Sequence, residues 1–349
     1  METKELIVNL LSKAKENVSK ITVIFLANVI GLTHNNNDYN DTSILTEFLT
    51  MNEYNELITS LQKYGFYVLT YFNSNEFILD YFSNKFSDTD IIIFEGTQKG
   101  IGKARDAFIP AFCDLENMKH TGPNAYVNSI CTNKYHWTKL LECHDVSVPK
   151  SWRYSCEGWL NNQPPPPNTL LISKPCYECA SIGIHKESVS ELNNSYETYL
   201  KKMTKLYNQP MIVQEFISGY EVEAPLIIHQ KKVYLLPPVV LYITDNVMMG
   251  HHFLDFDDIY ENAYHFCLLD EINSEYKRKL QNEALKIASI LELESYARID
   301  FRVTCSGEIF VTDINSYPHI IEHSSFAYSL SSIGFNVQDV LPCIIGNIL

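Results

Sequence analysis

An α/β chain of two or three units is expected from three observations. Up to Phe94, strand-like and helix-like runs alternate as β-α-β-α-β, the pattern of a parallel sheet with helices on its faces. Nearer the end, Ala297 to Thr304 and Glu308 to Asn315 are rich in β-branched and aromatic residues and flank Ser306-Gly307, which reads as a hairpin. The length of 349 residues is too great for one compact core.

In chain order, residues 4 to 19 set Leu6, Leu10, Leu11 and Ala14 on one helical side, and Ile21 to Ile30 is an apolar run of the buried-strand type. Gly31 then opens an Asn- and Asp-rich loop, at the carboxyl end of a first strand, where α/β units meet ligands. Met51 to Tyr64 reads as a helix, Phe66 to Tyr71 as a strand, Asn75 to Phe86 as a helix and Asp90 to Phe94 as a third strand. The glycines Gly96, Gly100 and Gly102 match neither the dinucleotide fingerprint nor the P-loop, so that segment reads as loop geometry. Thr121-Gly122-Pro123 marks the end of a first unit, 1–122. A second unit, 123–210, holds a helical pattern from Asn124 to Glu142, a four-proline turn, a short strand Leu170 to Lys174 and a helix from 188 to 205. A third unit, 211–349, starts with the strand Met211 to Ile217 and continues through strands 221–229 and 231–240. A long loop follows at 244–262, then a helix from Asn273 to Leu291, the hairpin, and two terminal helical runs.

The hairpin carries the chemistry. A two-residue loop sets Asp300 opposite Asp313 and Arg298 opposite Asn315 on one face, with facing side chains about 5 Å apart. Two like charges in that position call for a cation between them. Two carboxylates and an amide oxygen form a hard oxygen patch that suits Mg²⁺ shared with substrate phosphates better than Zn²⁺. Arg298 beside it is placed to stabilise an anionic phosphoryl or tetrahedral species. The competing reading is a solvated polar hairpin face with a surface ion pair.

Composition removes other classes. With 46% hydrophobic and 20% charged residues the chain is globular, and its net charge of −15 argues against a nucleic-acid partner. No apolar run reaches the ~18 residues a membrane span needs. The start lacks the basic-then-apolar pattern of a secretion signal, so a cytoplasmic location is the expectation. Nine scattered cysteines fit reduced thiols better than a disulfide framework. Cys176 and Cys179 have CxxC spacing without a second pair, and His251 and His252 are adjacent, so both read as incidental rather than metal-binding.

Taken together, several stretches between Phe94 and Gly334 resemble the ATP-grasp superfamily and, within it, the D-alanine–D-alanine ligases. KYHWTKLL after Asn133 is similar to that family's helical Asp-Lys, which implies a phosphate contact for Lys134. LLISKPCYECASIGIHK is similar to its Lys-Pro followed by a Glu-Gly-Ser-Ser-x-Gly loop. That implies that Lys174 reaches the α/β-phosphates while Glu178 and Ser181 belong to the covering loop. MIVQEFISGYEVEAPL resembles the hinge strand, giving Gln214, Glu215, Phe216 and Ile217 to the adenine and Glu221 to the ribose. ARIDF and DINSYP resemble the metal pair, giving Asp300, Asp313 and Asn315 as Mg²⁺ (or Mn²⁺) ligands, with Arg298 stabilising the transferring phosphoryl group. Ser324 is implied to meet the carboxylate of the amine substrate, and Tyr260 is implied to be a lid tyrosine within 244–262.

The resemblance implies an ATP-grasp fold behind an N-terminal parallel α/β domain, with 123–210 and 211–349 as its two ATP-grasp subdomains. It also implies a homodimer and an ATP-dependent carboxylate–amine ligase that works through an acyl phosphate. Departures fall mostly on the acceptor side, with one, at Asp313, among the implied metal ligands. Ala180 replaces a serine, Cys179 a glycine, Ile259 a lid lysine and Asp313 a glutamate, while His319 stands where a glycine amide usually donates to the oxyanion. The N-terminal loop lacks the family's glycine-rich start, and Asp38, Asp41 and Glu47 remain as alternatives for its substrate-binding acid. The expectation is therefore a ligase with an altered acceptor site, joining amino acids or an amino acid to a small metabolite. The alternatives are a D-alanine–D-alanine ligase proper and a non-catalytic nucleotide-binding protein.

Overall fold

A computed structural model of the chain describes residues 3–34, 37–243, 246–261 and 263–349. In the first sheet, Ile21–Ala27 runs parallel to Tyr67–Tyr71 on one side and to Asp90–Gly96 on the other, with Lys119–His120 at the edge. All seven residues of Ile21–Ala27 are buried, as a central parallel strand covered on both faces requires. Phe25 stacks on Phe94 at 4.3 Å between ring centres. The helix Met51–Tyr64 starts from a capping box of Thr50 and Glu53 and ends at Gly65, whose φ of 114° only glycine adopts without strain. The terminal helices Ser325–Ser332 and Val340–Ile348 return to this sheet and share one core with the helix Thr3–Asn17. A Cβ on Gly346 would lie 2.0 Å from the Leu10 carbonyl oxygen, so that helix contact exists only because residue 346 has no side chain.

A second, five-stranded sheet has the order Gly158–Trp159, Ser151–Ser155, Met211–Glu215, Leu170–Pro175 and Val189–Glu191. The expected unit 211–349 therefore shares its first strand with this central sheet. Three expectations change here. The helical run 124–142 is two helices, Ala125–Thr132 and Lys134–Cys143, because the Asn133 side chain caps the second by accepting from His136 N at 3.1 Å. The helix expected at 188–205 begins at Asn194, with Val189–Glu191 forming a strand before it. Phe108–Leu115, read from sequence as loop, is helical.

The third sheet runs His265–Leu268, Val239–Tyr242, Tyr220–His229, Tyr296–Val303 and Ile309–Asn315, with Lys232–Leu235 also paired to Tyr220–His229. Leu280, Ala284 and Ile287 of the helix Ser274–Ile290 pack against Ile299 and Phe301 in one core beneath it. The hairpin register at Asp300 is the expected one, reached by another route. The loop has three residues, Cys305 to Gly307, with Gly307 at φ 79° and Thr304 N bonded to Glu308 O. A bulge between Asp300 and Phe301 leaves Thr312 unpaired and restores Asp300 opposite Asp313 and Arg298 opposite Asn315.

Candidate active site

Alternation along three adjacent strands gathers the polar groups. Arg298, Asp300 and Arg302 are spaced by two on Tyr296–Val303, so they share one face. Across the ladder from them lie Glu223 opposite Asp300 and Glu221 opposite Arg302 on one neighbour, with Asp313 opposite Asp300 on the other. Cations from the protein itself meet the crowded carboxylates. Arg298 donates from Nε and Nη2 to Asp300 at 2.7 and 2.8 Å, and Lys134 Nζ reaches both oxygens of Asp313 at 2.8 and 2.7 Å. Burial pushes the Asp300 carboxyl above its ordinary range, and the charges of Glu223 and Asp313 add to that against the opposing pull of Arg298. Burial also acts on Asp313, but Lys134 and Lys174 outweigh it and hold that carboxyl below its ordinary value. Lys174 is itself lowered by burial and by the neighbouring charge of Lys134.

These side chains open onto a cavity of about 170 Å³. All nine nucleotide candidates line it: Lys134, Lys174, Glu178, Ser181, Gln214, Glu215, Phe216, Ile217 and Glu221. Arg298, Asp300 and Asp313 line it too. Several of these groups are already engaged. Glu221 pairs with Arg302, and Ser181 donates to Leu254 O at 3.2 Å. Glu178 is held by Tyr39 Oη and Gln209 Nε2, both at 2.6 Å, and by Arg105 Nη1 at 3.0 Å. Ala180 and Ser181 are consecutive non-glycine residues with φ of 48° and 53°, an uncommon backbone that marks this loop as strained.

A second cavity of about 370 Å³ adjoins the first, and Arg298, Glu223, Ile259, Cys179 and Ala180 line both. Tyr260, Asn315, His319 and Ser324 face the second. Dehydration within the cavity, with the charge of Arg298 added, holds the His319 ring below its ordinary range and so neutral near pH 7. The Ser324 hydroxyl is occupied, donating to Ile321 O at 2.6 Å and capping the helix through Ala327 N at 3.2 Å. The neighbouring Ser325 hydroxyl has spare capacity, since it is buried in the cavity wall without a partner among the described residues. Segment 246–261 crosses this region, bridging Gly219 through Gly250 and contributing the short helix Phe256–Tyr260. Tyr260 is 69% exposed, and positions 244, 245 and 262 of the expected lid lie outside the described residues.

Of the three N-terminal acids that sequence left open, one reaches the cavity. Asp38 is spent on Ser43 Oγ and Ile44 N, and Asp41 on Tyr207 Oη and His185. Glu47 lines the second cavity and pairs with the buried guanidinium of Arg105 at 3.0 Å. Sequence reading missed Arg105, Arg302 and Ser325. Arg302 was legible in the R-x-D-x-R alternation, but Arg105 looked like one more basic residue in a glycine-rich loop. Burial pushes the thiols of Cys179 and Cys176 each up to about 12, which keeps both in the thiol form at neutral pH when no metal is bound.

Asp300 and Asp313 offer the hard oxygens that suit Mg²⁺, while Asn315 Oδ1 accepts from Tyr317 N at 3.0 Å. Among the described residues, no group of three or more His, Cys, Asp or Glu is poised to hold a metal, so Asp300, Asp313 and Asn315 would need phosphate oxygens to complete the shell. The raised Asp300 carboxyl, flanked by two more acids, is what a divalent cation would relieve.

Residues 165–346 match the family described as D-ala D-ala ligase C-terminus, which is more than half of the chain. The chain belongs to the D-Ala–D-Ala ligase family. Similar relatives include the D-alanine–D-alanine ligase of Aquifex aeolicus, 25% identical over 243 residues that cover 69% of this chain and 77% of the relative. That of Cupriavidus pinatubonensis is 22% identical over 67% of this chain and 69% of its own length. The fold is also that of solved ATP-grasp ligases. The D-alanine–D-alanine ligase of Bacillus anthracis complexed with ATP superposes with a TM-score of 0.66 at 17% identity, covering 94% of this chain and 96% of that one. The VanG D-Ala:D-Ser ligase of Enterococcus faecalis gives 0.64 at 15% identity over 95% and 100%.

Proposed function

We propose that this member of the family is an ATP-dependent carboxylate–amine ligase that forms an amide through an acyl phosphate. One observation carries the reading: two lysines, two aspartates and an arginine from four separated stretches, with Lys134 and Asp300 buried and Lys174 and Asp313 half-buried, converge on the cavity bordered by Gln214 to Ile217. In this reading the first cavity takes the nucleotide, with Lys134 and Lys174 on its phosphates and Gln214 to Ile217 along the adenine. Lys134 exchanges Asp313 for phosphate when the nucleotide enters. Asp300, Asp313 and Asn315 would hold Mg²⁺, which when bound neutralises charge on the transferring group. The second cavity takes the carboxylate and the amine. Arg298, which lines both cavities, steadies the carboxylate as it attacks the γ-phosphate and then the tetrahedral species formed by the amine. The neutral ring of His319 lines the space where that amine arrives, and the N-terminus of helix Ser325–Ser332 with the Ser325 hydroxyl suits the amine substrate's own carboxylate. Segment 246–261 would shield the acyl phosphate from water.

The substitutions at Cys179, Ala180, Ile259 and His319, all of which line the second cavity, support an acceptor other than D-alanine. The names of the relatives favour the second reading, a D-alanine–D-alanine ligase. Release of ADP and phosphate across a panel of amino acids, with mass analysis of the product, separates the two. D-alanyl-D-alanine from D-alanine alone would overturn the altered acceptor. No carboxylate-dependent ADP release across the panel would overturn the ligase reading.

A further inference from the structure

Arg302 touches both the wall of the first cavity and the segment that crosses it. It is 5% exposed, lies opposite Glu221 in the sheet and is paired with it. Its other N–H groups meet backbone. Nη1 donates to Gly219 O at 3.2 Å and, more weakly, to Gly250 O at 3.5 Å, while Nη2 donates to His252 O at 2.9 Å. The guanidinium carbon lies over the Phe216 ring, 5.7 Å from its centre. A planar fork of five donors can serve a carboxylate and several carbonyls at once, which a compact ammonium on a flexible stem cannot match.

These partners fall in two stretches, 216–221 beside the cavity and 250–252 of segment 246–261. Backbone joins the two stretches as well, with Gly219 N donating to Gly250 O at 3.3 Å and Gly250 N to Gly219 O at 3.2 Å. A Cβ on Gly219 would lie 2.1 Å from Val303 O, so this glycine lets 216–221 sit directly on the strand that carries Arg302. A bridge of two glycines has no side chains to pack, and both glycines lose much freedom on docking, so it holds weakly by itself. The charge-assisted bond from Arg302 to His252 O supplies the stronger tie. Just beyond that tie, Phe253 and Leu254 line the first cavity and Ile259 lines both. His251 and Phe253 rest on Phe216 with ring centres 5.9 and 6.2 Å away. The part of the segment that walls the nucleotide cavity thus hangs from backbone that Arg302 fixes.

We propose that Arg302 is a positioning residue that latches segment 246–261 over the nucleotide. One guanidinium sets both the segment's backbone and the Glu221 carboxylate that faces the ribose, so nucleotide affinity and the exclusion of water from the acyl phosphate both depend on it. The proposal deepens the ligase reading and rests on it for the nucleotide and the acyl phosphate.

Hydrogen exchange read by mass spectrometry on the full-length protein, free and with AMP-PNP and Mg²⁺, reports on the latch without turnover. In Arg302→Lys the amides of 246–261 are expected to exchange roughly 10- to 100-fold faster in both states, the range for a charge-assisted hydrogen bond, and AMP-PNP affinity to fall in the same direction. The strand Ile21–Ala27 and the helix Ser274–Ile290 should exchange as in the wild type. Lysine keeps a cation beside Glu221, so the variant is expected to fold, and a melting curve checks this. Arg302→Gln, which keeps two N–H donors without the charge, is the second variant and should shift the same amides in the same direction. With the amino acids that turn over in the panel assay, both variants should release roughly twofold or more ADP per amide formed, against about one in the wild type, because water reaches the acyl phosphate. Unchanged exchange of 246–261 in both variants would overturn the latch, even with weaker AMP-PNP binding, which would then mark Arg302 as a direct nucleotide contact. Faster exchange throughout the chain, or an ADP-to-amide ratio equal to that of the wild type, would equally count against it. A wild type that forms no amide across the panel sinks the ligase reading, while the exchange data on 246–261 still decide whether Arg302 holds the segment.

Discussion

Replacing Asp300 by Asn isolates the charge on which the phosphoryl-transfer account depends. The change keeps the shape and one oxygen, so Arg298 retains an acceptor where it now has two at 2.7 and 2.8 Å. What disappears is one negative charge in a buried site facing Asp313 and Glu223. A unit charge about 4 Å from a cation at an effective dielectric of 20 is worth about 4 kcal/mol. The surviving Asn oxygen recovers some of that, which leaves a loss of about 3 kcal/mol, or about 100- to 1,000-fold in kcat/KM at fixed Mg²⁺. Stability should move little, because the lost bond to Arg298 is offset by relief of like-charge crowding, and the melting temperature should stay within about 3 °C. A coupled assay of ADP release over a Mg²⁺ series, paired with thermal melts, reads both quantities. Activity within threefold of wild type across the series would refute the assignment of Asp300 as a metal ligand.

Other outcomes follow from the same geometry. Arg105→Met leaves Glu47 and Glu178 facing each other without their shared buried cation, and urea unfolding should show a loss of about 3 to 5 kcal/mol. Mg²⁺ binding should weaken on acidification. The Asp300 carboxyl is raised by burial, so protons compete with the metal at a pH above that of an ordinary carboxylate, and calorimetry in buffers of different ionisation enthalpy should record proton release on binding that grows as pH falls towards that midpoint. Gly346→Ala would gain about 1 kcal/mol in an ordinary helix interior, but here its Cβ meets the Leu10 carbonyl at 2.0 Å and thermal melts should show destabilisation.

The parallel sheet and the polar hairpin were legible because period-2 and period-3.6 patterns are local. The register at Asp300 was reached through two compensating errors, a loop one residue too short and a bulge at Thr312 that no propensity announces. The break at Asn133 was a capping signal present in the sequence and overlooked inside a run of helical periodicity. Long-range pairings were out of reach. Nothing near residue 105 says that its guanidinium will be buried between Glu47 and Glu178, because that depends on how the sheets meet. The choice among Asp38, Asp41 and Glu47 was of the same kind and needed the tertiary arrangement.

The most direct test of the account follows oxygen. A substrate carboxylate labelled with ¹⁸O, incubated with ATP, Mg²⁺ and the amine partner, should pass one labelled atom to the released inorganic phosphate, because the carboxyl oxygen that attacks the γ-phosphate leaves with it. Phosphate released during amide formation without the label would contradict an acyl phosphate and with it the role given to the Arg298, Asp300 and Asp313 constellation.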